Sequence, residues 1–383
     1  MPRLLLSRLS PVLRLATAAL ILGAPTLRAA DLTYVVGPCD TGKFFATIQS
    51  ALDSTPAPTT VEVCPGTYPE QLVITKPVTI EALERAGAQG LVVVQPPSGG
   101  LISNATDDFG SGVAAQVLVL ATQDVTIRNL VIDGTGNHIS SAGDLVAGVY
   151  YEDSSGIVEH VTTRYQQNSR NGVGILLEGG GSNPAVTVED CSIHDFDYVG
   201  ILTETKGSRS QLTATIKENV VVLPPPSTGL TLKVFRSGFD FRTGSTVSAT
   251  DNDINAQGDF GITLGGAQGV VSGNAITSGV PAAYVEADGA ISFESNKLVG
   301  AGGGTAIAIG APIAATQIEN NRITNRQKGQ GIDFGCHASD GLVNSNTFMD
   351  VGVALDDALA GTSTVGDSFY NVAEEVRVET ICP

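Results

Sequence analysis

From Val125 onward the chain repeats one pattern of apolar and polar positions. A short alternating run is followed by a polar pair and then by a second run, as in "VTIRNLVIDG", "VTVEDCSIHD", "ATIKENVVV", "VSATDNDINA", "ISFESNKLVG" and "TQIENNRITN". Alternation over roughly four to eight residues marks a half-buried strand. The polar pair is the anomaly. In "IENNRITN", residues 318 to 325, Ile318 and Ile323 carry the core pattern while Asn320 and Asn321 stand between them. Asn is depleted in strands, and a buried amide needs hydrogen-bond partners.

One column, two residues before a recurring apolar residue, reads Asn129, Cys191, Asn219, Asn252, Asn274, Asn296, Asn321, Asn346 and Asp367, with His160 as a looser member after Asn129. Successive members lie 31, 31, 28, 33, 22, 22, 25, 25 and 21 residues apart. A period of that length with strand-type patterning signals a solenoid, and the dense, regularly placed Leu of leucine-rich repeats is absent. Three short strands per turn would make an all-β parallel β-helix whose coils stack ~4.8 Å apart. An Asn at the same bend of every coil then bonds the equivalent amide above and below, forming a ladder. Asn also tolerates the backbone of a bend. Asn321 is thus read as a corner residue, and Cys191 as a small, buried, free thiol in the same column.

After each bend a Gly-started strand recurs: "GVYYED" (148–153), "GILLEG" (174–179), "GILTET" (200–205), "GFDFRT" (238–243), "GITLGG" (261–266), "GIDFGC" (331–336) and "GVALDD" (352–357). The third and fifth residues of each are expected to face outward. The third column reads Tyr150, Leu176, Leu202, Asp240, Thr263, Asp333 and Ala354; the fifth reads Glu152, Glu178, Glu204, Arg242, Gly265, Gly335 and Asp356. Three glutamates thus fall in consecutive coils, followed by Arg242 beside Asp240. Like charges ~5 Å apart repel by about 1 kcal/mol in water and by several times that near a low-dielectric wall. Such a column is either a solvated acidic face or one that needs a cation, raised pKa values or a function.

Composition agrees with many short strands and tight turns: 42% hydrophobic, 5% aromatic, no Trp, and 45 Gly among 383 residues. Residues 1–30 hold four Arg, no acid and an apolar run from Leu15 to Leu22, the pattern of a secretory signal peptide. That run is shorter than the ~20 residues a membrane span needs. Taking it away moves the net charge from −18 to −22, which disfavours nucleic acid and anionic membranes as partners. Export permits disulfides among the five cysteines; Cys39–Cys64 and Cys336–Cys382 are the expected pairs, with Cys191 free.

These features resemble the right-handed parallel β-helix proteins of the pectate-lyase-like superfamily, over roughly residues 31–383 as one domain. "ATIQSALD" reads as a short helix within 44–55, with Ile48, Ala51 and Leu52 on one face, suited to cap the open end of the solenoid. Gly66, Tyr68 and Glu70 match a G-x-Y-x-E pattern similar to that of pectin methylesterases and periplasmic copper-binding β-helix proteins, a mark of architecture more than activity. The N-T-D, G-H-G and R-I-K patterns of polygalacturonases are missing. Two Met and four His speak against copper delivery.

The resemblance implies a secreted, periplasmic or cell-surface protein, expected to be monomeric, that binds a polysaccharide on the outer face of one sheet. Glu178, Glu204, Asp240 and Arg242 are the candidate catalytic residues. Tyr150, Arg170, Asp195, Asp197 and Lys206 are candidate substrate contacts from the same strands and the loops entering them. A lyase acting on uronic acids would hold Ca²⁺ with Glu152, Glu178 and Glu204 to neutralise the substrate carboxylate. A glycoside hydrolase would instead pair two carboxylates. A non-catalytic binding or structural solenoid is the alternative to both.

Overall fold

The computed structural model describes residues 32–378, apart from 40–41, 84–89, 140–142, 208–209, 224–235, 257–258, 279–280, 288, 301–303, 314, 325, 327–328, 336–342 and 359–365. The expected signal segment and the expected Cys336–Cys382 pair lie outside the described residues.

Every coil contributes one strand to each of three long sheets, two with 12 strands and one with 13 among the described residues. All pairings between successive coils are parallel, in register over stretches such as Val186↔Ala214 and Ile193↔Val221. The chain is a parallel β-helix. Its interior is one continuous apolar core, to which each strand sends alternate residues, for example Val149, Tyr151, Ile175, Leu177 and Ile201. Between the first and second sheets the coil turns sharply, and there the anomalous polar pair resolves into two jobs. The first residue of the pair takes a left-handed backbone: Asp251 (φ 56), Gly273 (φ 69), Ser295 (φ 56), Asn320 (φ 57) and Ser345 (φ 56). The second residue forms the ladder. Asn274 Oδ1 accepts from Asn252 N at 3.0 Å and from Asn252 Nδ2 at 2.8 Å, while Asn274 Nδ2 donates to Ala249 O and Asn296 Oδ1. The same bonds repeat from Asn219 to Asn346, with Cys191 N and Asp367 Oδ1 at the two ends.

The expected column needs one correction. Asn129 (φ 58) and His160 (φ 52) occupy the left-handed position, not the ladder. Their ladder equivalents are Leu130 and Val161, both buried, so the early coils fill this corner with apolar side chains. Cys191 is buried and free, its thiol pushed up to about 12 by burial. Cys39 and Cys64 form the expected disulfide, with Cα atoms 5.7 Å apart.

The one helix among the described residues, Ile48–Leu52, is shorter than the expected 44–55 and buries Ile48, Ala51 and Leu52. The G-x-Y-x-E residues explain its position. Glu70 accepts from Ile48 N and Gln49 N at 2.8 and 2.9 Å, and Tyr68 Oη donates to Cys64 O at 2.7 Å. Both side chains are tied up holding backbone, which is why the motif marks architecture.

The third sheet carries the Gly-started strands. A Cβ at Gly200 would come within 2.6 Å of Gly238 O and 2.8 Å of Val221 Cγ1, so the start of this strand has no room for a side chain. Between Gly261 and Gly331 the sheet contains two further strands, Ala283–Ala287 and Ile307–Ile309, that begin after Ala282 and Ala306 rather than Gly. In the strand Val353–Ala358, Leu355 pairs with Ile332 and Asp356 with Asp333. Ala354 therefore belongs to the small-residue column and Asp356 to the third column, a shift of two residues from the expected register.

Candidate functional site

The acidic column forms as the alternation demands. Tyr150, Leu176 and Leu202 align in successive coils, as do Glu152, Glu178 and Glu204. It is not a solvated face. Strand Ala105–Thr106 pairs antiparallel with Gly112–Leu120, and the segment leading into this hairpin folds over the outer side of the sheet. A second small core results, in which Val113, Leu118, Tyr150, Leu176 and Leu202 pack outside the coil. Tyr150 Oη donates to Thr106 O at 3.3 Å. Glu178 is 0% and Glu204 3% exposed.

Buried carboxylates need compensation, and the chain supplies it from its own cations. Lys206 Nζ pairs with Glu152 and, at 2.9 Å, with Glu178. Burial works against the Lys206 charge, but its two carboxylate partners outweigh it and raise its pKa. Burial also raises Glu178, despite Lys206. One coil further, Arg242 holds three groups: Nη1 donates to Glu204 Oε2 at 2.8 Å, Nε to Asp240 Oδ2 at 3.1 Å and Nη2 to Tyr198 Oη at 2.9 Å. Burial pushes Glu204 up to about 8, with Arg242 opposing and Glu178, Asp107 and Asp108 adding to the rise. Asp240 is raised too, by burial that Arg242 only partly offsets. Glu204 Oε1 and Asp240 Oδ1 are buried with no hydrogen-bond partner.

These two carboxylates line a cleft of about 930 Å³ on the outer face of the third sheet. It runs across the strands Val199–Thr205, Ser237–Arg242, Phe260–Gly265 and Ala283–Ala287. One wall is Asp108 and Phe109 from the hairpin tip, where Gly207 N donates to Asp108 Oδ1 at 2.9 Å. Phe109 is 75% exposed, with the Arg242 guanidinium 5.8 Å from its ring centroid. The opposite end has Phe260 and Tyr284, stacked at 5.4 Å, and the exposed Glu286.

Of the residues expected from sequence, Glu204, Asp240 and Arg242 come together in the cleft. Tyr150, Glu152, Glu178 and Lys206 form the adjoining buried network and do not line it. Arg170, Asp195 and Asp197 lie at the bend entering the sheet. Asp197 accepts from Arg170 N at 2.9 Å and Gly172 N at 2.6 Å, so it shapes backbone, and Asp195 pairs with His194 Nδ1 at 2.7 Å. The carboxylates of the expected Ca²⁺ set, Glu152, Glu178 and Glu204, are paired with the chain's own cations. The Lys206 ammonium bridges the first two and Arg242 takes the third. Among the described residues, no group of three or more His, Cys, Asp or Glu side chains is placed to hold a metal ion.

Phe109, Tyr284 and Glu286 were not foreseen. Tyr284 sits opposite Thr263 in the third column, and a rule that accepted Ala as well as Gly at the strand start would have found it. Nothing in the local sequence of Phe109 points to a cleft whose other residues begin at Tyr198, about ninety residues downstream.

Residues 115–348 match the family model of the right handed beta helix region, and the chain belongs to that family. Its fold is similar to that of the mannuronan C-5 epimerase AlgE4 A-module of Azotobacter vinelandii, at 14% identity and a TM-score of 0.54, covering 87% of this chain and 92% of that one. The AlgE6 A-module from the same organism gives 16% identity and a TM-score of 0.55 over 84% and 94% of the two chains. A GH136 lacto-N-biosidase from Eubacterium ramulus gives 13% and 0.52 over 91% and 68%. At these identities the likeness is one of fold. No curated protein matches the sequence. No helix among the described residues is long and apolar enough to cross a membrane.

Proposed function

We propose that this protein binds a glycan in the cleft on its third sheet and that Glu204 and Asp240 form an acid–base pair acting on it. The observation that carries this reading is the placement of aromatic rings, Phe109 exposed and Tyr284 half-buried, beside two carboxyl groups that each keep one oxygen without a partner. Phe109 and Tyr284 offer apolar faces to the C–H faces of sugar rings. Glu204 and Asp240 line the cleft, each with one buried oxygen that has no hydrogen-bond partner among the described residues. A concave site with a few convergent polar groups is the ordinary form of a small-ligand site. A carboxyl group whose pKa is raised to about 8 carries its proton at neutral pH and can donate it to a leaving oxygen. The second carboxylate would then assist water or the sugar. The similar folds include an epimerase of mannuronan and a lacto-N-biosidase, so carbohydrate chemistry is carried by this scaffold elsewhere.

The Cys39–Cys64 disulfide and the signal-like residues 1–30 support a location outside the cytosol. A second reading, binding without catalysis, is favoured by one fact: both carboxylates are already engaged by Arg242. The test is calorimetric titration with a panel of oligosaccharides, followed by product analysis. Tyr284→Ala should weaken binding by about 1 kcal/mol with an unchanged melting midpoint. Glu204→Gln should bind normally and release no product. Binding that ignores Tyr284→Ala would remove the cleft from consideration, and product formation by Glu204→Gln would remove the acid role.

A further inference from the structure

The charge of the cleft bears on which glycan it takes, an inference that rests on the glycan-binding reading above. Among the described residues the acids Asp108, Asp240 and Glu286 line the site against a single base, Arg242, beside a Glu204 that holds its proton at neutral pH. That base is committed, since Nε, Nη1 and Nη2 each already serve Asp240, Glu204 and Tyr198. The neighbouring cation, Lys206, is held between Glu152 and Glu178 under the hairpin. A polyuronate would bring one carboxylate per sugar into this field and find no uncommitted cation among the described residues that line it. Bringing like charges together in a partly desolvated cleft is strongly unfavourable.

The opposite chemistry fits. Two carboxylates, 97% and 92% buried as residues, share one guanidinium and leave Glu204 Oε1 and Asp240 Oδ1 without donors. Glu286 and Asp108 add negative charge at the rim. A ligand ammonium supplies three N–H donors and a positive charge at once. We infer that the cleft selects glycans bearing free amino sugars, with the ammonium seated against Asp240 and the rings against Phe109 and Tyr284. This substrate charge is opposite to that of the mannuronan on which the similarly folded epimerases act.

The experiment is calorimetric titration of the full chain at about pH 6 and low salt with three probes of equal length. They are the fully deacetylated glucosamine oligomer, its N-acetylated counterpart, and an oligogalacturonate. The first two share a backbone and differ only at each nitrogen, an ammonium in one and a neutral acetamide in the other. The amine oligomer should bind about tenfold more tightly than the acetylated one, and the galacturonate should not bind. The preference should shrink several-fold in about 0.5 M salt. Asp240→Asn should abolish it, and Glu286→Gln, whose side chain is exposed and outside any ion pair, should cut it about threefold while leaving the fold intact. Equal binding of the amine and acetylated oligomers overturns the inference and keeps the glycan reading, as does binding of the galacturonate alone. No binding of any probe overturns both.

Discussion

The asparagine ladder and the cleft floor bury polar side chains on opposite sides of the same coils, and they do so by different rules. In the ladder every amide from Asn219 to Asn321 both donates to and accepts from its neighbours, and none has an orphaned atom. On the cleft floor Glu204 and Asp240 are just as buried, yet each keeps one oxygen without a partner. A fully satisfied polar column lets a solenoid turn a corner without cost and fixes the register of each coil on the next. A partly satisfied one is a standing penalty of about 1–3 kcal/mol per group, which something outside the chain is needed to relieve. Burial alone does not distinguish scaffold from site. Between the amides Asn219 to Asn321 and the cleft floor, the completeness of hydrogen bonding does.

The sharpest way to break the contrast is to damage the ladder. Asn274→Ala orphans the buried Asn252 N–H and Ala249 carbonyl, and weakens the bonds of Asn252 Nδ2 and Asn296 Oδ1. The expected loss is about 4 kcal/mol in urea unfolding. A loss below about 1 kcal/mol would mean that water or backbone relaxation replaces the amide, and the ladder would lose its structural meaning.

The cleft floor should answer to pH instead. Glu204 titrates at about 8 in the folded chain against an ordinary 4.5. The native state therefore binds an extra proton between those values. The contribution of Glu204 to stability should be greatest below about pH 4.5, fall as pH rises, and be lost above about pH 8. Unfolding midpoints of wild type and Glu204→Gln across that window should diverge by on the order of 3 kcal/mol, with the variant the flatter of the two. Parallel curves would show that Arg242 keeps Glu204 ionised throughout.

This contrast also accounts for what the sequence made legible. Ladder and sheets depend on period, and period survives translation into text: Asn252, Asn274, Asn296 and Asn321 stand 22, 22 and 25 residues apart because the coils have those lengths. The acidic column was equally legible, since alternation puts Glu152, Glu178 and Glu204 on one face. Its burial was not. That depends on the 101–112 segment crossing the sheet, a contact with no periodic signature. The same blindness placed Asn129 and His160 one position late, because polarity at a bend does not say whether the side chain or the left-handed backbone is what the bend requires. The candidate site moved for this reason too. Three of its members were expected; Phe109 comes from an element with no shared pattern, and Tyr284 from a strand that has Ala where the expected ones have Gly.

A gentler change should sharpen the comparison by completing the ladder. Its last member is Asp367, whose Oδ1 accepts from Asn346 N while Oδ2 is buried without a partner. Burial pushes this carboxyl up to about 6, with the Asn346 hydrogen bonds working the other way. Asp367→Asn keeps the acceptor, adds donors where the other ladder members use them, and removes a buried charge. The expected gain is about 1 kcal/mol at neutral pH, shrinking below about pH 6 where the acid is already neutral. A variant less stable than wild type at neutral pH would show that the last coil does not follow the rule of those before it.

The smallest effect is expected where polar groups are neither buried nor orphaned. On the outer face of the first sheet Lys217 pairs with Glu189, in side chains that are 42% and 20% exposed. The pair resembles Lys206–Glu178 in chemistry and in its place one coil apart, but water reaches it freely. Exposed pairs are screened by solvent and salt, and holding two long side chains together offsets most of the attraction. Lys217→Ala should leave the urea midpoint unchanged within error, whereas Lys206→Ala should lower it clearly by stripping the buried Glu178 of its cation. Equal effects of the two substitutions would show that charge count rather than burial sets the energetics, and the distinction between a covered acidic column and a solvated one would lose its consequence.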